Sequence, residues 1–168
     1  MAFNNSYYGE VFTAGDFLAN NEDCTRITDQ FNANDAKIQT LPSGKKIIPA
    51  GTVFSNGIVY EDVDVTNGDA AGSVVIEGVV YEDRLPEAVD TYSSATVPTG
   101  GNPKELGLYE RSGTSPNYVY TLTTDTTATE GKTYYSYGGK KLASATKTAL
   151  EALGIKFVTE PTVTRPEE

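Results

Sequence analysis

Through the middle of this chain apolar and polar residues alternate over short distances, and Gly, Asn and Pro cut the pattern every few positions. From Ile47 to Leu85 it reads I-I-P-A-G-T-V-F-S-N-G-I-V-Y-E-D-V-D-V-T-N-G-D-A-A-G-S-V-V-I-E-G-V-V-Y-E-D-R-L. β-branched and aromatic residues supply strand propensity there, and the small residues supply turns. A hexapeptide recurs: Gly57 to Asp62 is G-I-V-Y-E-D and Gly78 to Asp83 is G-V-V-Y-E-D. Either two strands with the same punctuation do the same structural job, or β-propensity has written similar strings twice. In the first copy Val59, Glu61, Val63 and Val65 share one strand face, while Tyr60, Asp62, Asp64 and Thr66 share the other. Around the second copy Val74, Ile76 and Val80 alternate with Val75, Glu77, Val79 and Tyr81, so neither face is polar. Such a strand is central in its sheet or is covered by a partner chain. Val74, Val75, Ile76, Val79 and Tyr81 are therefore the candidate residues for a core or a subunit interface.

The flanking pattern fills in the elements. Lys37 to Thr40 and Lys45 to Ile48 bracket Leu41-Pro42-Ser43-Gly44, and Pro and Gly there predict a hairpin turn. Pro86 to Pro103 has almost no apolar content and reads as a linker. Leu106 to Arg111, Tyr118 to Thr123 and Lys132 to Tyr137 then predict a three-stranded meander containing six of the eleven tyrosines. Leu142 to Leu153 predicts the one helix, with Ser144 or Thr146 as its cap, Leu142, Ala145, Ala149, Leu150 and Leu153 as its apolar stripe, and Gly154 as its stop. Ile155 to Val158 follows as a closing strand.

Residues 1–36 show no lasting period. They are rich in Asn, Asp, Ser and Thr and carry Phe3, Tyr7, Tyr8, Val11, Phe12, Phe17 and Leu18 at scattered positions. Such a segment buries too little of itself to offset chain entropy of about 1–2 kcal/mol per residue. It reads as an extended arm that docks on a neighbour through those seven side chains, or as a disordered tail. The expected fold is thus mainly β: a main domain over 37–90 and 140–158 with one short helix, the arm over 1–36, a linker plus inserted meander over 91–139, and a flexible tail over 159–168.

Charge and composition narrow the chemistry. Across 168 residues there are 23 Asp and Glu against 13 Lys and Arg. Residues 1–90 hold 15 of those acids and 5 of the bases. A field of that sign repels phosphate backbones, so no nucleic-acid partner is expected. No histidine is present, which removes the commonest general base and metal ligand. One cysteine, Cys24, leaves no disulfide framework or Cys-rich zinc site, and reads as a small hydrophobe. Met1 to Tyr8 lacks the basic start and apolar run of a signal peptide, and no membrane span is readable. Asp62 to Asp69 only superficially resembles a calcium loop, because it falls between strands without the required ligand spacing. The Glu61-Asp62 and Glu82-Asp83 pairs are expected to splay into water. No catalytic residue, metal or cofactor is expected, and the chain reads as non-enzymatic. Tyr109, Tyr118 and Tyr120 are candidates for stacking on sugars, against the simpler reading that the meander's tyrosines only glue its strands together.

The runs I-P-A-G-T-V-F, G-I-V-Y-E-D-V-D-V-T-N-G-D-A-A-G, V-V-I-E-G-V-V-Y-E-D-R-L-P and A-L-E-A-L-G-I-K-F-V resemble those of tailed-phage head decoration and head fibre proteins, in particular the lambda-type decoration family with its β-tulip domain. The resemblance covers about Ile47 to Leu85 and Thr148 to Val158. It implies a structural virion protein on the outer surface of a phage capsid. In that role it would bind as a homotrimer at three-fold and quasi-three-fold sites and clamp major capsid proteins. The alternative is an adhesin module that reaches host-surface glycans through the Tyr-rich insertion.

Overall fold

The computed structural model describes residues 14–159. They form a mainly β protein with one α-helix, divided into two compact units. One unit takes the described residues up to Ala88 and those from Leu142 onward; the other is Val89–Lys141.

The first unit is organised around β7 (Ala70–Tyr81), its longest strand. β1 (Thr25–Phe31) and β5 (Gly57–Val59) pair with β7 antiparallel, β4 (Val53–Phe54) pairs with β5, and β12 (Ile155–Val158) joins the far end of β7 in parallel. A smaller sheet is made by β2 (Gln39–Thr40), β3 (Lys46–Ile48) and β6 (Val63–Asp64). The β2–β3 hairpin turns where Pro42 and Gly44 stand, with Gly44 at φ 82° and the Leu41 amide donating to the Lys45 carbonyl at 2.8 Å.

Two apolar clusters explain why β7 has no polar face. Val75 and Val80 belong to one, with Phe17, Leu18, Ile58, Leu142, Leu150 and Ile155; Val74 belongs to the other, with Phe31, Ile48, Val59, Val63 and Val65. The strand is covered on both sides by its own chain. Strict alternation would place Val75 and Val80 on opposite faces, yet both reach the same cluster. The β1–β7 pairing slips between Thr25, opposite Glu77, and Arg26, opposite Val75. The slip leaves Ile76 as an extra residue, and a bulge of that kind switches the phase of the side chains.

The segment expected to be a docking arm is, from residue 14 on, part of this unit. The Gly15 amide donates to the Tyr60 carbonyl at 2.9 Å, the Tyr81 amide to the Phe17 carbonyl at 2.8 Å, and the Ala19 amide to the Val79 carbonyl at 2.8 Å. β1 then runs the length of β7 from Glu77 back to Ala70. Composition misled here because β1, T-R-I-T-D-Q-F, is an edge strand. Its residues are mostly exposed, and only Phe31 is fully covered.

The repeated hexapeptide does not make two equivalent strands. Its first copy is a short strand, β5, that leaves the ladder after Val59. Its second copy ends β7 and passes into a 3-10 turn, Glu82–Arg84. What the copies share is a glycine at positive φ, 141° at Gly57 and 154° at Gly78. At Gly57 a Cβ would lie 2.3 Å from the Val75 carbonyl oxygen, so β5 approaches β7 there only because the side chain is missing.

Helix α1 (Ser144–Leu153) starts after Ala143 with no side-chain cap, and Gly154 ends it at φ 122°. Of the expected apolar stripe only Leu150 is buried within the helix; Ala145, Ala149 and Leu153 are exposed, and Leu142 is buried just before it.

The second unit is one four-stranded antiparallel sheet in the order β10 (Asn117–Leu122), β9 (Tyr109–Thr114), β11 (Tyr134–Lys141), β8 (Val89–Ala95). β8 lies in the stretch read as linker. Its sequence, V-D-T-Y-S-S-A, has little intrinsic strand character, and it is held by its ladder to β11.

Candidate functional site

Three places concentrate polar or aromatic chemistry, one in the first unit's core, one on its surface and one across the second unit.

In the first unit, Glu82 is buried against expectation. Its Oε1 accepts from the Leu142 amide at 2.9 Å and its Oε2 from Lys147 Nζ at 2.7 Å. The repeated acids therefore differ in role: Asp62 accepts from the Ala50 amide at 2.8 Å, while Glu82 joins the end of β7 to the start of α1. Nearby, Glu87 Oε1 accepts from the Val53 amide at 2.9 Å, and Lys37 Nζ donates to the Val53 carbonyl. These contacts fasten loops to the sheet.

A depression of about 460 Å³ on the same unit is lined by Glu22, Asp23, Cys24, Glu77 and Lys156 among others. Cys24 is a half-buried free thiol whose Sγ donates to the Asn21 carbonyl at 3.4 Å, and Glu77 accepts from the Thr25 hydroxyl at 3.0 Å. Among the described residues no group of three or more His, Cys, Asp or Glu is placed to hold a metal ion, and no helix is long and apolar enough to cross a membrane.

The second unit has two unlike faces. Cross-strand partners share a face, and the register sets Tyr120 opposite Arg111, Leu122 opposite Tyr109, Tyr109 opposite Tyr135 and Tyr137 opposite Tyr92. Those residues and Tyr118 occupy one side. Tyr92 and Tyr120 belong to the outermost strands of the sheet, yet their rings stack at 3.9 Å between centroids and 4° between planes. The sheet must therefore curl until its two ends meet across this face. Tyr92 also contacts Tyr109 at 5.2 Å and Tyr137 at 5.4 Å, and Tyr120 meets Tyr135 edge-on at 5.3 Å. No residue of this unit belongs to either apolar cluster; its own buried residues are Pro103, Leu108, Thr123, Tyr134 and Tyr135, and the ring pairs add to that packing from a face whose other tyrosines are half-buried or exposed. Pairs of this kind contribute about 0.5–1.5 kcal/mol each beyond the area they bury.

The opposite face is closed by a polar lock. Lys132 Nζ lies 2.7 Å from Asp125 Oδ2 and 2.9 Å from Glu110 Oε1. Tyr134 donates to Asp125 Oδ2 at 2.6 Å, and the Thr123 hydroxyl donates to Glu110. The Lys132 ammonium and the Tyr134 hydroxyl hold the Asp125 carboxyl below its ordinary range, and the Thr123 hydroxyl and Lys132 do the same for Glu110. The two carboxylates in turn raise Lys132. All three groups stay charged and paired, as a strut requires.

The sites expected from sequence fare differently. Tyr109, Tyr118 and Tyr120 do share a surface, and they share it with Tyr92, Tyr135, Tyr137 and Arg111. Tyr134, counted with the meander, belongs to the lock. Phe17 and Leu18 are not docking residues: they are 0% and 6% exposed in the chain's own core. Phe3, Tyr7, Tyr8, Val11 and Phe12 lie outside the described residues. Val74 and Val75, each 0% exposed, are core, and Ile76, Val79 and Tyr81 are half-buried. Sequence reading missed Tyr92 because it lies in the stretch read as linker, and passed over Arg111, the last residue of a predicted strand, because only the strand register sets it opposite Tyr120 on the tyrosine face.

No family model, no curated protein and no solved structure matches this chain.

Proposed function

We propose that this chain is a structural virion protein. It decorates and stabilises a phage capsid, binding as a trimer at three-fold and quasi-three-fold sites and clamping the major capsid protein on the outer surface of the particle. It has no catalytic role. The observation that supports this reading is the meeting of the two blocks that carry the resemblance. They are separated in sequence by the whole of 89–141, yet Ile155 pairs with Gly78 and Phe157 with Val80 in one sheet of one unit. The resemblance therefore follows a folded domain and not two unrelated strings.

Burial changes which residues make the contacts. Val74 and Val75 are used internally, so the trimer forms through apolar side chains that the first unit leaves exposed. Among its described residues these are Ile27 on β1, Leu153 at the end of α1 and Val158 on β12, at 42%, 42% and 38% exposure. β1 also has no strand on its outer side among the described residues. Its free backbone groups are a template for main-chain pairing with a capsid subunit. Phe3, Tyr7, Tyr8, Val11 and Phe12 remain the proposed grip on the lattice, and many modest contacts repeated over a shell add up through avidity.

The test mixes purified protein with undecorated, expanded phage heads and sediments them. Saturable, stoichiometric co-sedimentation is expected, with trimers seen by light scattering either free or on release. Protein that stays in the supernatant at every ratio would overturn the reading.

A further inference from the structure

Most of the tyrosines on the curled face are accounted for by packing on one another, but four observations are not. Tyr118 and Tyr137 are 39% and 47% exposed at the margins of the cluster. Among the described residues the hydroxyls of Tyr92, Tyr109, Tyr118, Tyr120 and Tyr135 have no protein hydrogen-bond partner, whereas Tyr137 donates to Asp90 at 2.9 Å. Arg111 lies on the same face, exposed, its guanidinium 4.3 Å from the Tyr118 ring centroid and 5.0 Å from that of Tyr135. And in a chain with 23 acidic residues, Arg111 reaches no carboxylate among those described.

Stacking occupies the plane of a guanidinium and leaves its N–H groups, which lie in that plane, directed outward as a fork that matches a carboxylate or phosphate. Ring stacking fixes Arg111 without neutralising it. Beside it stand half-exposed aromatic rings and free phenol hydroxyls, which offer an apolar surface and hydrogen bonds at once. An anion alone needs no aromatic platform. An apolar protein surface would leave the guanidinium and the phenols unpaired, at a cost. A polyanionic nucleic acid is opposed by the chain's net charge of -10. A ligand with flat apolar ring faces, many hydroxyls and an acidic group satisfies every one of these features.

We infer that the tyrosine face of Val89–Lys141 binds an acidic saccharide, Arg111 taking its carboxylate or phosphate while Tyr118 beside it stacks on a sugar ring. The assignment is independent of the capsid reading, since a protein that fails to bind heads can still bind sugars, and the reverse. Packing has already fixed the rings, so little conformational entropy is lost when a ligand docks.

The experiment is calorimetric titration of the full chain with four probes: a glucuronate-containing oligosaccharide, a phosphorylated oligosaccharide, a neutral glucose oligosaccharide of equal length, and single-stranded DNA. One or both acidic sugars are expected to bind at least about tenfold more tightly than the neutral one, equivalent to roughly 1.4 kcal/mol. Which acidic probe binds tells carboxylate from phosphate. Arg111→Gln should remove the preference for acid, bringing the acidic and neutral sugars to the same affinity; Arg111→Lys should restore part of it. Tyr118→Ala should weaken all sugars alike, with near-ultraviolet circular dichroism showing the other tyrosines still packed. No binding by any sugar, tighter binding of DNA than of sugars, or sugar binding unmoved by both Arg111→Gln and Tyr118→Ala would each overturn the assignment.

Discussion

Phe17→Ala separates a core residue from a docking residue. Phe17 is fully enclosed, in one cluster with Leu18, Val53, Ile58, Val75 and Val80. Its carbonyl accepts from the Tyr81 amide, so the backbone cannot easily collapse into the vacated space. Truncating a buried Phe to Ala costs about 3–5 kcal/mol, the transfer term plus the cavity left behind. Total stabilities of small domains are about 5–15 kcal/mol, so the variant is expected to lose about a fifth or more of the first unit's stability. The reporter matters, because the chain has no Trp and seven of its eleven Tyr lie in Val89–Lys141. Tyrosine fluorescence would follow the wrong unit. Hydrogen exchange in urea, read on peptides covering β7, follows the right one. A loss under about 1 kcal/mol on those peptides, together with weaker attachment to heads, would show that Phe17 projects outward and that the docking arm extends past it.

Other outcomes follow from the same contacts. Deleting residues 1–13 should leave β7 protected from exchange while weakening head binding, whereas deleting 1–32 removes β1, Phe17, Leu18 and Phe31 and should give an unfolded first unit by circular dichroism. Glu82→Ala strips the Leu142 amide and Lys147 of their acceptor and should cost about 1–3 kcal/mol in urea melts, since Lys147 keeps partial access to water. The polar lock predicts an acid limb. Asp125 and Glu110 are depressed when folded, so their contribution is present above the ordinary carboxylate range and is lost as pH falls below about 4. Tyrosine circular dichroism should then collapse in acid, and Asp125→Asn should lower the plateau while flattening that limb. In alkali, burial raises Tyr92, and the bond to Asp90 raises Tyr137. Both should ionise later than exposed phenols in absorbance at high pH, and simultaneous titration of all eleven would contradict the packed cluster.

Legibility in the sequence followed how local each constraint was. The β2–β3 hairpin was readable because Pro42 and Gly44 dictate backbone angles that no distant contact needs to supply. β7 was readable as a covered strand, because Val-Val-Ile and Val-Val on both faces leave no side for water. What covers it was not readable, since burial by the chain itself and burial by a neighbour leave the same hydrophobic string. Phe17 and Phe31 settle the question only once β1 is seen lying along β7. β8 was missed for the converse reason: V-D-T-Y-S-S-A carries no strand signal of its own, and β11 imposes the conformation on it.

The tyrosine face shows the same limit applied to a site. Tyr109, Tyr118 and Tyr120 could be singled out from their crowding in sequence. Their partner Tyr92 lies on β8, at the other end of the sheet order, and only curling brings the rings within 3.9 Å. Curling is also what sets Arg111 apart. Without a folded face it is one of 13 basic residues in an acidic chain. On that face it is a cation braced by two rings and, among the described residues, left without a carboxylate. Its isolation is a property of the tertiary structure, and for that reason Arg111→Gln, more than any tyrosine substitution, distinguishes a sheet that merely holds itself together from one that holds a ligand.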